Sequence, residues 1–224
     1  MKQFVNRAEA GKNLASALGE MNLIDALVLA LPRGGVPIGI EIVRALRIPM
    51  DLIMVRKIGV PSQPELAAAA IVNGDDPQVV INSGVARAFG LTGDDIDRMA
   101  ARQLTEIQRR RQIYLGERAQ VPVEGRTAIV VDDGIATGAT VRASLKGLKR
   151  RKPARILLAV PVAPQDTLAE LRGDVNDIIC LETPEPFWAI GAHYSDFSQT
   201  SDEEVVQLLD EANAIRSGGE TSNK

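Results

Sequence analysis

Ile129-Val130-Val131-Asp132-Asp133-Gly134-Ile135-Ala136-Thr137-Gly138-Ala139-Thr140 runs an apolar strand straight into two carboxylates and a small, hydroxyl-bearing turn. Residues 127–131 are β-branched or small and almost wholly apolar, the composition of a buried strand in a parallel sheet. Val141, Leu145 and Leu148 then recur at helical spacing, so the segment is predicted to be strand, tight loop, helix. Gly134 and Gly138 let the backbone approach a ligand. Thr137 and Thr140 bring hydroxyls to the first turn of the helix, where unpaired N–H groups and the dipole favour a monophosphate. Asp132 and Asp133 would repel that phosphate, but they suit the vicinal hydroxyls of a ribose, or Mg²⁺ held through water. The combination describes a site for a ribose 5-phosphate.

A second stretch repeats the plan. Residues 26–31 form an apolar run broken by Pro32-Arg33-Gly34-Gly35, after which Val36, Ile40, Val43 and Leu46 trace a helical face. Adjacent glycines free N–H groups to point at an anion, and Arg33 supplies a planar fork for phosphate oxygens. A third strand, residues 52–55, ends in Arg56-Lys57 before the loop residues Gly59, Pro61 and Pro64. In open parallel sheets, ligands collect beyond the carboxyl ends of the strands, so Arg33, Arg56, Lys57, Asp132 and Asp133 are expected on one rim. The plainer alternatives are a simple glycine turn with a solvated Arg33, and a solvated basic pair at 56–57. No Gly-Lys-Ser/Thr follows the Asp-Asp loop and no G-x-G-x-x-G follows its strand, which excludes a Walker A site and a dinucleotide fingerprint.

Apolar residues, two acids, a short turn and then Thr-Gly-x-Thr is an order that resembles the 5-phosphoribosyl 1-pyrophosphate (PRPP) motif of type I phosphoribosyltransferases. Pro32-Arg33-Gly34-Gly35 is similar to the Arg-Gly-Gly pyrophosphate loop of the xanthine-guanine enzymes. The resemblance implies an open parallel α/β sheet with helices on both faces and a small hood built from the terminal segments. It implies Mg²⁺-dependent transfer of a phosphoribosyl group from PRPP to a nitrogenous base, with release of pyrophosphate. Asp132, Asp133 and Arg33 are then the catalytic residues, with Asp132 and Asp133 near the metal. Ala136, Thr137, Gly138, Ala139 and Thr140 take the 5-phosphate, and Arg33, Gly34, Gly35, Arg56 and Lys57 take the pyrophosphate. The family often holds a cis non-proline peptide in the pyrophosphate loop, and the Arg33–Gly34 bond is the one expected here. Residues 59–65 stand where the family carries a mobile loop. One departure matters: hypoxanthine-guanine enzymes place an Asp before Thr-Gly-x-Thr, and this chain has Ala136, as adenine-type and orotate-type enzymes do, and Ala136 cannot move a proton. Asp133, Glu65 and Asp196 are the substitutes within view. The same fold also serves as a PRPP-sensing regulatory module without useful turnover, and motifs alone do not separate the two.

The whole chain agrees. At 224 residues, with 45% hydrophobic but 3% aromatic residues, it can bury an aliphatic core alone. A net charge of −3 argues against general nucleic-acid binding. The first 20 residues are polar and charged, unlike a signal peptide, and no apolar run approaches the ~20 residues that cross a bilayer, so a cytoplasmic location is expected. The single Cys180 lies in an apolar run and reads as a structural thiol; the single His193 leaves no multi-histidine metal centre and reads as structural.

The remainder is cover. Residues 155–160 and 177–181 read as strands with a short helix at 165–171 between them, and residues 79–81 as a strand or flap near Asn73-Gly74-Asp75-Asp76-Pro77. Residues 92–115 read as a helix with Asp94 facing Arg98 and Glu106 facing Arg110; its run Arg109-Arg110-Arg111 is either a solvated face or a phosphate contact. Scarce aromatics cluster at the C-terminal end, so Phe187, Trp188, Tyr194 and Asp196 are the hood candidates for the acceptor, or else a small subdomain core. Ser201 and Glu204 form a capping box for a last helix, and residues 217–224 read as a frayed tail. One domain is expected, with its core at about residues 25–181 and flanking segments 1–24 and 182–224; a homo-oligomer is compatible with this reading.

Overall fold

The computed structural model describes residues 3–72 and 77–220; the side chains of residues 64, 65 and 218–220 lie outside that description. Residues 73–76, near which a strand or flap was expected, therefore fall outside the described residues, as does the side chain of Glu65.

Helix α1 (Arg7–Gly19) opens the fold, its N-cap Asn6 accepting from the backbone N–H of Glu9. Strand β1 (Ala26–Ala30) is buried at every residue and feeds helix α2 (Gly35–Leu46). Strand β2 (Met50–Leu52) follows. The chain then leaves the main sheet for strands β3 (Val55–Val60), β4 (Gln63–Val72) and β5 (Gln78–Ile81), helix α3 (Ser83–Ala88) and the long helix α4 (Gly93–Leu115). It returns as strand β6 (Thr127–Val131), helix α5 (Ala139–Arg150), strand β7 (Arg155–Val162), helix α6 (Gln165–Leu171) and strand β8 (Asp177–Glu182), and closes with helix α7 (Asp202–Glu220).

Strands β2, β1, β6, β7 and β8 pair in that order as one parallel sheet. Its register sets Ala30 beside Val131 and Val131 beside Ala159, so the loops after β1 and β6 leave the same edge as neighbours. One face buries Leu27, Leu29 and Val130 against Leu145 and Leu148 of α5, and the other buries Val28, Ile129 and Val131 against α1 and α2. Each such fully buried Leu or Ile contributes about 1.5–3 kcal/mol, which is why β1 and β6 carry no polar residue between Thr127 and the strand ends.

Strands β3, β4 and β5 form a separate antiparallel sheet, a small hood drawn from the middle of the chain and not, as expected, from the terminal segments; its Ile58, Ala69 and Ile71 pack with Ile96, Ile107 and Tyr114 of α4 and Val205 and Leu209 of α7. Terminal segments also fold onto the core: Phe4 bridges to Tyr194 in parallel, with its N–H on the His193 carbonyl at 2.9 Å.

Four local expectations are corrected. Arg56 and Lys57 do not end a parallel strand; they lie inside β3, because the break falls at Ile53-Met54 and a new strand begins at Val55. Residues 59–65 form a tight hairpin with Pro61-Ser62 at the turn and a register shift around Gly59, in place of a free loop. In α4, Arg98 pairs with Asp95 at 2.5 Å rather than with Asp94, because Asp95 is fixed by its capping box with Thr92. The last helix also runs through Ser217 to Glu220, beyond the expected start of fraying.

Candidate active site

The Pro32–Gly35 and Asp132–Gly138 loops touch. A Cβ added at Gly34 would sit 2.1 Å from Asp133 Oδ2, and one at Gly35 would sit 2.5 Å from the Val131 carbonyl oxygen, so both positions need glycine for this approach. The cis peptide of the first loop joins Pro32 to Arg33, one bond earlier than the Arg33–Gly34 bond expected.

Asp132 and Asp133 leave β6 side by side. Asp132 Oδ1 accepts the Asp133 backbone N–H at 2.9 Å, and Asp132 makes no ion pair among the described residues. Asp133 is buried and held twice: its Oδ2 accepts Arg7 Nε at 2.8 Å, and its carbonyl accepts the Tyr194 hydroxyl at 2.6 Å. Arg7 in turn donates to the Ser198 carbonyl at 2.7 Å and lies 3.9 Å over the Phe197 ring. Burial and the adjacent Asp133 charge drive the Asp132 carboxyl well above its ordinary pKa; burial also raises that of Asp133, with Arg7 pulling it back. Two carboxylates that resist ionising together form a place where a cation is welcome. Mg²⁺ is bound by one or two carboxylates plus substrate phosphates, so this donor set fits it without the three-residue cage that is absent among the described residues.

Beyond the acids, Gly138 takes a left-handed conformation at φ 70°, and Ala136, Thr137, Ala139 and Thr140 stand around the N-terminus of α5, all four exposed. Helix α6 braces the turn, with Thr167 Oγ1 donating to the Ala136 carbonyl at 2.9 Å. The turn also borders a groove of about 600 Å³ between α5 and the hood sheet, lined by Thr137, Arg142, Lys146 and Asn82. Arg33 reaches toward α7, 3.6 Å from Asp202 Oδ1. Lys57 is exposed on β3, and Arg56 shares a small cavity with Pro32 and Thr140.

The four aromatic-end candidates separate. Trp188 is 80% exposed, and Phe187 stacks on the buried His193 at 5.4 Å. Tyr194 is corrected: it is buried between Phe4 and Phe197 and its hydroxyl is used on Asp133, so its ring faces no solvent. Asp196 accepts the Ser198 backbone N–H at 2.9 Å and so fastens a turn. Arg7 is the residue that sequence reasoning missed. Its only signal was a pair of carboxylates that needed a cation, and the cation comes from 126 positions upstream.

A model of the phosphoribosyl transferase domain matches residues 5–196. The chain belongs to the phosphoribosyl transferase domain family. Two Mycobacterium tuberculosis relatives, from strains CDC 1551 and H37Rv, both provisionally named phosphoribosyl transferases, are 43% identical over 212 residues, 95% of this chain. The chain spans about half the length of these curated relatives, 47%. The crystal structure of TT1426 from Thermus thermophilus superposes with a TM-score of 0.83 at 36% identity, covering 94% of this chain and 99% of that one. The parallel sheet with helices on both faces is thus the phosphoribosyl transferase fold, and the hood sheet is its added layer. No helix among the described residues is long and apolar enough to cross a membrane.

In this member of the family, Asp132→Asn is expected to stabilise the ligand-free protein by about 0.5–2 kcal/mol. Asn keeps the acceptor for the Asp133 N–H and removes the like-charge contact. Thermal melting checks this; a lower melting temperature would show that the Asp132 charge is not a source of strain.

Proposed function

We propose that the protein transfers the phosphoribosyl group of PRPP to a nitrogen nucleophile, with release of pyrophosphate. The observation that carries this reading is the contact between the glycine loop and the paired acids, next to an open helix N-terminus. One pocket edge therefore offers amides for a diphosphate, carboxylates for ribose hydroxyls and a further anion site for the 5-phosphate.

In this reading the turn Ala136–Thr140 anchors the 5-phosphate, Asp132 and Asp133 orient the ribose, and Arg33 with the Gly34 and Gly35 amides receives the departing diphosphate. Asp132 and Asp133 would also hold Mg²⁺, which when bound supplies charge neutralisation on the diphosphate. Positive charge develops on the ribose as the bond to pyrophosphate breaks, and the neighbouring carboxylates stabilise it. Catalysis is then positioning and electrostatics. Trp188 is the aromatic surface left for a flat acceptor, and a nucleobase is the acceptor class it suits. The cytoplasm, where PRPP and Mg²⁺ meet, is the location that goes with this reading.

A second reading is PRPP sensing without turnover: Ala136 replaces the general base that hypoxanthine-guanine enzymes hold at this position, although adenine-type and orotate-type enzymes also carry Ala there. Pyrophosphate release from PRPP with Mg²⁺, with no acceptor and then with each purine and pyrimidine base, separates the two. The expected result is release with one base only. Silence across the panel from a folded protein that still binds PRPP would overturn transfer in favour of sensing.

A further inference from the structure

Arg7 stands where a helix least favours a cation. It is the first residue of α1, beside the unpaired N–H groups and the positive end of the dipole, where an acid such as Glu9 of the same turn is the favourable choice. Its guanidinium is nonetheless held by three partners, Asp133 Oδ2 at 2.8 Å, the Ser198 carbonyl at 2.7 Å and the Phe197 ring at 3.9 Å, and only 12% of its side chain is exposed. A positive charge set against the dipole and then buried points to a need at the acid pair.

That need is electrostatic. With Arg7 in place, the ionised acid pair carries one net negative charge instead of two. Arg7 also commits an oxygen: it bonds Asp133 Oδ2, the same atom that an added Gly34 Cβ would meet at 2.1 Å, so this oxygen is packed by the glycine loop as well as bonded to the guanidinium. Asp132, whose Oδ1 accepts the Asp133 N–H and which pairs with no cation among the described residues, is the carboxylate left open. Mg²⁺ gives up its waters reluctantly and is held through one or two carboxylates together with substrate phosphates. One open carboxylate in a cluster of single net charge is a weak site for the ion by itself, and a sufficient one once a diphosphate adds its own oxygens and charge.

We propose that Arg7 is a built-in counter-cation that keeps a divalent metal ion off the acid pair until the diphosphate of the substrate arrives, so that metal and PRPP bind together. This rests on the phosphoribosyl transfer reading. Arg7 is thereby a positioning residue: it touches Asp133 and governs metal binding through it. Removing its charge is expected to do two things at once, weakening the fold and creating a metal site that no longer needs the substrate.

Thermal melting with about 10 mM magnesium chloride, with PRPP, and with both tests this on the wild-type protein, Arg7→Gln and Arg7→Lys. Gln keeps a donor for Asp133 without the charge, and Lys keeps the charge. The wild type and Arg7→Lys are expected to move by less than about 1 °C with magnesium alone, and to rise further with magnesium and PRPP than with PRPP alone. Arg7→Gln is expected to rise by about 3–5 °C with magnesium alone. Adding Asp132→Asn to that variant is expected to abolish the rise, which locates the ion at the acids. A role for Arg7 in packing alone would lower the melting temperature of the variants without making it depend on magnesium. Arg7→Gln unmoved by magnesium alone, or a wild type that magnesium alone stabilises as much, overturns the proposal and leaves the transfer reading intact. An Arg7→Gln that is unfolded by itself and folds on addition of magnesium supports the proposal; one that magnesium does not recover overturns it. A wild-type protein left unshifted by PRPP with magnesium overturns the transfer reading, whatever Arg7→Gln does with the metal alone.

Discussion

Arg7→Met is expected to lower the stability of the protein by about 3–5 kcal/mol at neutral pH, the cost of leaving a buried carboxylate without its partner. For a chain of this length that corresponds to a fall in Tm of roughly 10 °C. Methionine approaches arginine in length and keeps a contact with the Phe197 ring, so the loss isolates the charge on Asp133. The sign of the pH dependence follows. Burial already raises the Asp133 pKa, and Arg7 opposes that rise; without Arg7 it climbs further. A folded state that binds its proton more readily gains relative stability as pH falls. The deficit of Arg7→Met should therefore be largest at pH 7 and above, and shrink as pH falls through the raised Asp133 pKa toward the ordinary carboxylate range. Melting curves at about pH 7.5 and about pH 5.5 check this, and the double variant Arg7→Met/Asp133→Asn should recover most of the loss. An equal deficit at both pH values would show that Arg7 acts through packing alone.

Gly35→Ala is expected to reduce kcat/KM about 100-fold, the scale of a ~1 Å misplacement at a reacting centre. The new Cβ would meet the Val131 carbonyl oxygen at 2.5 Å and the Asp132 Cα at 3.2 Å. These are backbone atoms of the central strand and cannot rotate away. The Val131 carbonyl already accepts the Leu31 N–H at 2.9 Å, so the glycine loop must yield instead, and it carries Arg33 with it. A stability loss of about 1–3 kcal/mol accompanies the overpacking. Gly93→Ala is the matched control: at the start of α4 its Cβ would meet nothing within 4 Å, and stability should change by less than about 1 kcal/mol. Assaying both variants for pyrophosphate release decides the matter. Activity of Gly35→Ala within about threefold of wild type would mean that the loop tolerates displacement.

What the sequence made legible was whatever is local or buried on both sides. Thr127–Val131 reads directly as β6 because every residue is apolar or β-branched and buried, and the Thr-Gly-x-Thr turn follows within a few residues. Gln165–Leu171 was equally readable as a helix between two strands. The hood was not. Its β3 begins at Val55 and carries Arg56 and Lys57 mid-strand, half-buried and exposed, so its basic pair looked like the end of the preceding strand. Tyr194 looked like an acceptor platform because aromatic residues are scarce, but the same scarcity makes it valuable as a brace, pinned between Phe4 and Phe197. Contacts that join Arg7 to Asp133, or Arg33 to Asp202, link residues far apart in the chain and leave no periodic trace.

The double hold on Asp133 makes it a junction between the chain's two ends. Its carboxylate belongs to a helix near the N-terminus through Arg7, and its carbonyl belongs to the aromatic C-terminal segment through Tyr194. A ligand that shifted Asp133 would have to shift or break both of these contacts. Under the proposed transfer reading, any effect of an acceptor at the aromatic segment on sugar binding at the acids would be matched by an equal effect of the sugar on the acceptor, even if they never touch. An ordered binding sequence would then need no moving lid: one residue, gripped from two directions, would let the first ligand prepare the protein for the second.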